Sequence, residues 1–167
     1  MAQCGLRLSN MRIRQARDTD RPLIHTMGYD AWSEGAPLDQ HIQSCIANGK
    51  YKKGTWFALE NDAGEIVSAL ICYKNAFGLQ VGSAGIGSVA TLPSARKKGY
   101  ADFLVRGIVG QLLQEGTARI FLYSDIPPAY YARMGFQALP ASLQKHLPSV
   151  CMMLQPVGKT DAVPDYF

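Results

Sequence analysis

The run Pro93-Ser94-Ala95-Arg96-Lys97-Lys98-Gly99-Tyr100-Ala101 sits between an apolar, strand-like stretch and an apolar, helix-like one. A short basic turn, with small residues at Gly99 and Ala101, therefore falls where a helix begins. A helix N-terminus carries unpaired backbone N–H groups and roughly half a positive charge. Together with the cationic side chains of Arg96, Lys97 and Lys98 it makes a site for a polyphosphate. Gly99 lets the chain approach phosphates with no Cβ in the way. Ala101 is small enough for the helix start to lie against the ligand. A solvated basic turn is the competing reading, so the flanking elements decide.

Those elements follow from apolar periodicity. Met11 to Arg17 alternates as a strand, and Asp18-Thr19-Asp20 offers N-cap chemistry for a helix through Leu23, Ile24 and Met27. Gly28 to Pro37 reads as a loop holding Trp32 and Glu34. Leu38, Ile42, Cys45 and Ile46 form one face of an amphipathic helix ended by Asn48-Gly49. Thr55 to Leu59 and Ile66 to Tyr73 are strands joined by the hairpin signal Asn61-Asp62-Ala63-Gly64. Ala84 to Leu92 is a small-residue strand in which Gly85 and Gly87 indicate a bulge or a close backbone approach.

The helix from Gly99 to about Glu115 follows, with Leu104, Val105, Ile108, Val109, Leu112 and Leu113 at helical spacing. Gly107 and Gly110 within it imply tight packing on a sheet. Arg119 to Tyr123 is a buried strand, and Pro127 to Gly135 a short helix with prolines in its first turn. Phe136 to Leu139 and Val150 to Leu154 complete the sheet. Residues 1–10 read as a loose leader and 158–167 as a surface tail. The order β-α-α-β-β-β-α-β-α-β-β specifies an α/β fold with a mixed sheet.

Composition bounds the function. At 167 residues, with 47% apolar and 18% charged content, the chain suits one domain with a sizeable core and not disorder. The net charge of +4 suits an anionic ligand and is too weak, and too scattered in sequence, for nucleic acid. Cys4, Cys45, Cys72 and Cys151 lack metal-site spacing, and the last three sit among apolar residues as buried, reduced thiols. His25, His41 and His146 lack partners at metal or triad spacing, so they read as surface or helix-face residues and no metal is expected. No stretch reaches the roughly 18 apolar residues of a membrane span. The start lacks a secretory pattern, so a cytoplasmic location with no membrane partner is expected.

Two motifs then carry a family resemblance. Arg96-x-x-Gly99-x-Ala101 resembles the acetyl-CoA pyrophosphate loop of the GNAT superfamily of N-acetyltransferases. Strand Ile120 to Ser124 followed by Tyr131-Ala132-Arg133-Met134-Gly135-Phe136 resembles the second GNAT signature. The resemblance spans about Met11 to Leu154. It implies a central mixed, mostly antiparallel sheet of six to seven strands, about four helices, and fourth and fifth strands that splay apart. It also implies that Val89, Ala90 and Thr91 pair with pantetheine, while the Arg96 to Ala101 amides, Lys97, Lys98 and Tyr100 included, hold the pyrophosphate. The Gly87/Ser88 region would lie near the thioester carbonyl.

By the same resemblance the reaction is direct acetyl transfer from acetyl-CoA to an amine acceptor. Tyr131 is the general acid for the leaving thiolate or a hydrogen-bond donor to it; the competing reading makes it a core aromatic. Relatives often place a Glu on the fourth strand, and Ala84 to Thr91 has no carboxylate. Glu34 is the candidate base, with a water relay as the alternative. Asp125 could cap the Pro127 helix. Ser124 stands where relatives often carry a cofactor-contacting Asn. Trp32, Trp56 and Tyr73 could wall an acceptor site, with core preferred for Trp56. The leading expectation is a small-amine or amino-acid-like acceptor. A protein acetyltransferase and a catalytically silent acyl-CoA-binding module stay open, as does a homodimer. A nucleotide-binding domain is disfavoured, because Gly-x-x-x-x-Gly-Lys-Ser/Thr is absent.

Overall fold

The computed structural model describes residues 10–154 and 162–167. Cys4 and residues 1–9 of the leader lie outside the described residues, as do 158–161 of the tail. Seven strands form one sheet in the order β1-β2-β3-β4-β5-β7-β6. They are β1 (Arg12–Gln15), β2 (Gly54–Glu60), β3 (Ile66–Tyr73), β4 (Ser83–Thr91), β5 (Arg119–Ser124), β6 (Phe136–Ala138) and β7 (Val150–Leu154). Every neighbouring pair is antiparallel except β4 and β5. The helices are α1 (Arg21–Thr26), α2 (Tyr29–Trp32), α3 (Leu38–Ala47), α4 (Tyr100–Gln114) and α5 (Ala129–Ala132). The mixed, mostly antiparallel sheet is the expected one; the extra helix, α2, is a single turn inside the stretch read as loop.

Both faces of the sheet are covered, which is why β3 is buried along its whole length. Leu104, Ile108 and Leu112 of α4 pack on one face beside Leu70, Cys72 and Ile86. Each contributes roughly 1.5–3 kcal/mol by burial. Ile24 and Met27 pack on the other face beside Trp56, Ile71 and Tyr73, as preferred for Trp56. Cys72 and Cys151 are buried free thiols, and Cys45 is partly buried.

Several local readings are corrected. Asp20 does not cap α1: its carboxylate accepts from the Arg17 backbone N–H at 2.7 Å and from Arg14 at 2.7 Å. The apolar face assigned to α3 is turned outward at Leu38 and Ile46, and the helix buries His41 instead. A Cβ at Gly107 would fall 2.2 Å from Ile13 Cδ1, so that glycine admits β1; one at Gly110 would meet nothing within 4 Å.

The end of the chain is not a surface tail where it is described. Phe167 is 4% exposed and packs against Tyr73, Phe77 and Tyr123. The Asp165 N–H donates to Phe77 O at 2.8 Å, and Tyr123 OH donates to Pro164 O at 2.5 Å. Gly85 makes room for this: a Cβ there would fall 2.5 Å from Phe167 Cζ. The close approach expected at the β4 glycines is therefore to the chain's own C-terminus.

The parting of two strands positions the site. β4 and β5 pair from Ser83↔Arg119 to Ile86↔Leu122 and no further. The register between β3 and β4 shifts there, with Ala69 opposite Ala90 but Ile71 opposite Gly87. Ser88, at φ 46°, lies in that bulge, so the positive φ falls on Ser88 and not on Gly85 or Gly87. A bulge bends its strand and sharpens its twist. Gly87 to Thr91 therefore leaves β5, which continues along β7 through Ser124.

Candidate active site

A cavity of about 900 Å³ opens at the splay. One wall is the unpaired edge of β4 at Val89, Ala90 and Thr91. The floor is the turn into α4, at Arg96, Lys97, Gly99, Tyr100 and Ala101. The opposite wall is the end of β5 and α5, with Asp125, Ile126, Tyr130, Tyr131 and Arg133. Gly99 is the N-cap of α4 at φ 80°, with no side chain capping the helix. The first-turn amides are thus left for another acceptor. A strand edge without its neighbour, leading to an uncapped helix start, fits an elongated ligand with a polyphosphate end.

The three cations of the turn have different fates. Arg96 donates to both Asp30 carboxylate oxygens, at 2.5 and 2.7 Å, and to the carbonyls of Met27 and Thr91. It is a strut between the turn and α2, and it holds the Asp30 carboxyl below its usual pKa. Lys98 faces a separate cavity beside Arg14 and Glu60. Lys97 lines the cleft and makes no ion pair among the described residues. Arg133, not singled out in the sequence, adds a second cation, with its guanidinium 4.4 Å from the Tyr130 ring centroid.

Tyr131 lines the cleft and is 8% exposed. Burial pushes its phenol well above its ordinary pKa, with Tyr130 and Asp125 adding to the shift. It therefore stays protonated, a donor, throughout the neutral range. Tyr130 is partly buried against the core and also lines the wall. Ser124 is buried and its hydroxyl donates to Ile126 O at 2.7 Å; Asp125 and Ile126 line the cleft in its place. Asp125 caps nothing; it accepts from the Ser149 and Tyr166 hydroxyls.

A second chamber of about 320 Å³ adjoins the cleft. Gly28, Trp32 and Ala90 belong to both. Trp32 lies flat across Gly28, where a Cβ would fall 2.0 Å from the indole Cε3, so the glycine seats the ring at the junction. Glu34 stands in the chamber wall, in the adjoining cavity rather than beside Tyr131. Ser88 and Tyr51 share that wall, and a hydrogen bond to Ser88 partly offsets the rise that burial imposes on the Tyr51 phenol.

His25 and His41 also line the chamber, at 5% and 7% exposure; both lie on helices, one of the two readings, and neither is at the surface. Burial, with Arg21 adding to it, lowers His25 to about 4, so it is neutral at neutral pH. His41 Nε2 lies 3.6 Å from Cys45 Sγ. Among the described residues no group of three or more His, Cys, Asp or Glu side chains is placed to hold a metal. No helix there is long and apolar enough to cross a membrane.

The fold has many solved counterparts. A GNAT family acetyltransferase from Brucella melitensis, solved with acetyl-CoA, superposes with a TM-score of 0.60 at 21% identity over 95% of this chain and 94% of that one. The ribosomal-protein-S18-alanine N-acetyltransferase of Escherichia coli gives 0.62 at 16% identity, over 94% and 99%. N-acetylglutamate synthase from Neisseria gonorrhoeae, solved with coenzyme A and N-acetyl-glutamate, gives 0.62 at 20% identity, over 86% of this chain and 34% of that one. At these identities the likeness is one of fold. No curated protein sequence matches. The model of the Acetyltransferase (GNAT) family matches residues 13–136, from β1 through the splayed strands and the basic turn to Phe136, and the chain belongs to that family.

Proposed function

We propose that the protein moves an acetyl group from acetyl-CoA to a primary amine of a small molecule, by direct attack within a ternary complex. One observation carries the reading: the splayed β4 edge, the uncapped start of α4 and the buried Tyr131 line a single cleft. Pantetheine takes the strand place that β5 vacates beside Val89, Ala90 and Thr91. The backbone amides from Arg96 to Ala101 hold the pyrophosphate, with Lys97 and Arg133 supplying charge. The Brucella relative, which binds acetyl-CoA on the same fold, supports this placement.

The neutral amine nitrogen attacks the thioester carbonyl carbon and the carbonyl π electrons move to oxygen. Backbone N–H groups at the Ser88 bulge face the developing oxyanion, which such donors stabilise in proportion to how well they are fixed beforehand. The C–S bond then breaks and the electron pair leaves on sulfur. The Tyr131 hydroxyl is the donor to that sulfur. A phenol pushed above its usual pKa is a weaker acid than the thiol it would protonate. Tyr131 therefore acts by hydrogen bonding to the sulfur, and coenzyme A leaves as the thiolate, which takes its proton from solvent. The proton shed by the amine passes to Glu34, in the wall of the adjoining chamber, or to a water relay.

A thiol-release assay over amines, polyamines, amino acids and peptides tests the reading. Release with one class of amine supports it. Acetyl-CoA binding with no release on any acceptor would replace it with a silent acyl-CoA-binding module.

A further inference from the structure

We infer that the smaller chamber takes an aromatic monoamine without a carboxylate. The inference rests on the acetyl-transfer reading above and names its acceptor.

The walls give the shape. Tyr51, His25 and Trp56 form a mutual cluster, with ring centroids 5.3–5.4 Å apart. Trp32 and His41 complete the aromatic lining. Such faces and edges pack best on another flat ring. The chamber is about 320 Å³, the low end for ligand sites, and it meets the cleft at Trp32 and Ala90. A small ring fills it while its amine reaches the junction.

The charges give the class. The wall contains no Lys or Arg, and its carboxylate is Glu34. An arriving ammonium finds an opposite charge. A carboxylate on the acceptor would be buried with no cation to meet it, which is costly. Two cations stack on these rings, Arg21 at 5.1 Å over Trp56 and 3.3 Å from His25, and Lys50 at 5.5 Å over Tyr51, but neither is part of the wall. His25, lowered to about 4, is neutral and supplies no charge. A polyamine would need a second anion, and the wall has none.

The experiment compares initial rates for tyramine, tyrosine, spermidine and a peptide with acetyl-CoA. The kcat/KM for tyramine should exceed that for tyrosine by at least about 100-fold. Tyrosine, spermidine or the peptide matching tyramine would overturn the inference. Calorimetry with acetyl-CoA on the same samples separates the two failures. No acetyl-CoA binding removes the acetyl-transfer reading and this one with it. Binding without turnover of tyramine, and without quenching of tryptophan fluorescence by it, removes this one only.

Discussion

Arg96 and Asp30 are joined by two hydrogen bonds, at 2.5 and 2.7 Å, across 66 residues of sequence. The pair ties the turn before α4 to the turn of helix that carries Trp32. A basic residue that reads as a phosphate ligand is thereby spent on holding the loop in shape. The pair is exposed, so its effect on global stability is under about 1 kcal/mol. Arg96→Ala and Asp30→Asn should each weaken acetyl-CoA binding roughly two- to fivefold, measured by titration calorimetry. Asp30→Asn would instead tighten binding if Arg96 served the phosphates directly.

Tyr131 sets a second prediction. Tyr131→Phe keeps the ring that packs on Phe136 and removes the donor. We expect kcat to fall about 100-fold, with acetyl-CoA affinity nearly unchanged. Because burial raises the phenol, Tyr131 contributes no falling limb to the rate profile between pH 6 and 9. A variant with near-normal turnover would remove Tyr131 from the chemistry.

His25 makes stability depend on pH. Its folded pKa, about 4, lies below the ordinary value of 6.5, so the unfolded chain takes up this proton first as pH falls. The contribution is present above about pH 6.5 and is lost progressively toward pH 4. His25→Gln should flatten the decline of Tm over that window. An unchanged slope would mean that the imidazole is protonated in the fold.

The two glycines of α4 should respond differently to alanine. At Gly110 a Cβ meets nothing within 4 Å, so Gly110→Ala should stabilise the protein by about 0.5–1 kcal/mol in urea unfolding. At Gly107 the new methyl must displace Ile13, so Gly107→Ala should gain less.

The sequence disclosed what local chemistry controls. Gly99, needed at φ 80°, marked the start of α4, and Asn61 to Gly64 marked the hairpin between β2 and β3. What stayed hidden depends on partners far along the chain. His41 reads as one polar residue on a helix, and only the approach of Tyr29 and Cys45 to its ring shows that it is enclosed. His25 is covered by Tyr51 and Trp56, which arrive with a short turn and with β2 more than twenty residues later. The bulge fell on Ser88 although glycines flanked it nearby, because the register of β3 and not residue type sets where the extra residue goes. The final segment reads as polar, and only Gly85 opposite Phe167 reveals that it packs. A glycine four residues before Trp32 was the available signal for the junction of the two cavities, since it leaves the indole room to lie flat.

Calorimetric titration with acetyl-CoA tests whether the gap between β4 and β5 is the acetyl-CoA site. Saturable binding to one site per chain, weakened by Arg96→Ala, is expected. A titration without heat or saturation would contradict it, and with it the roles given to the turn from Arg96 to Ala101.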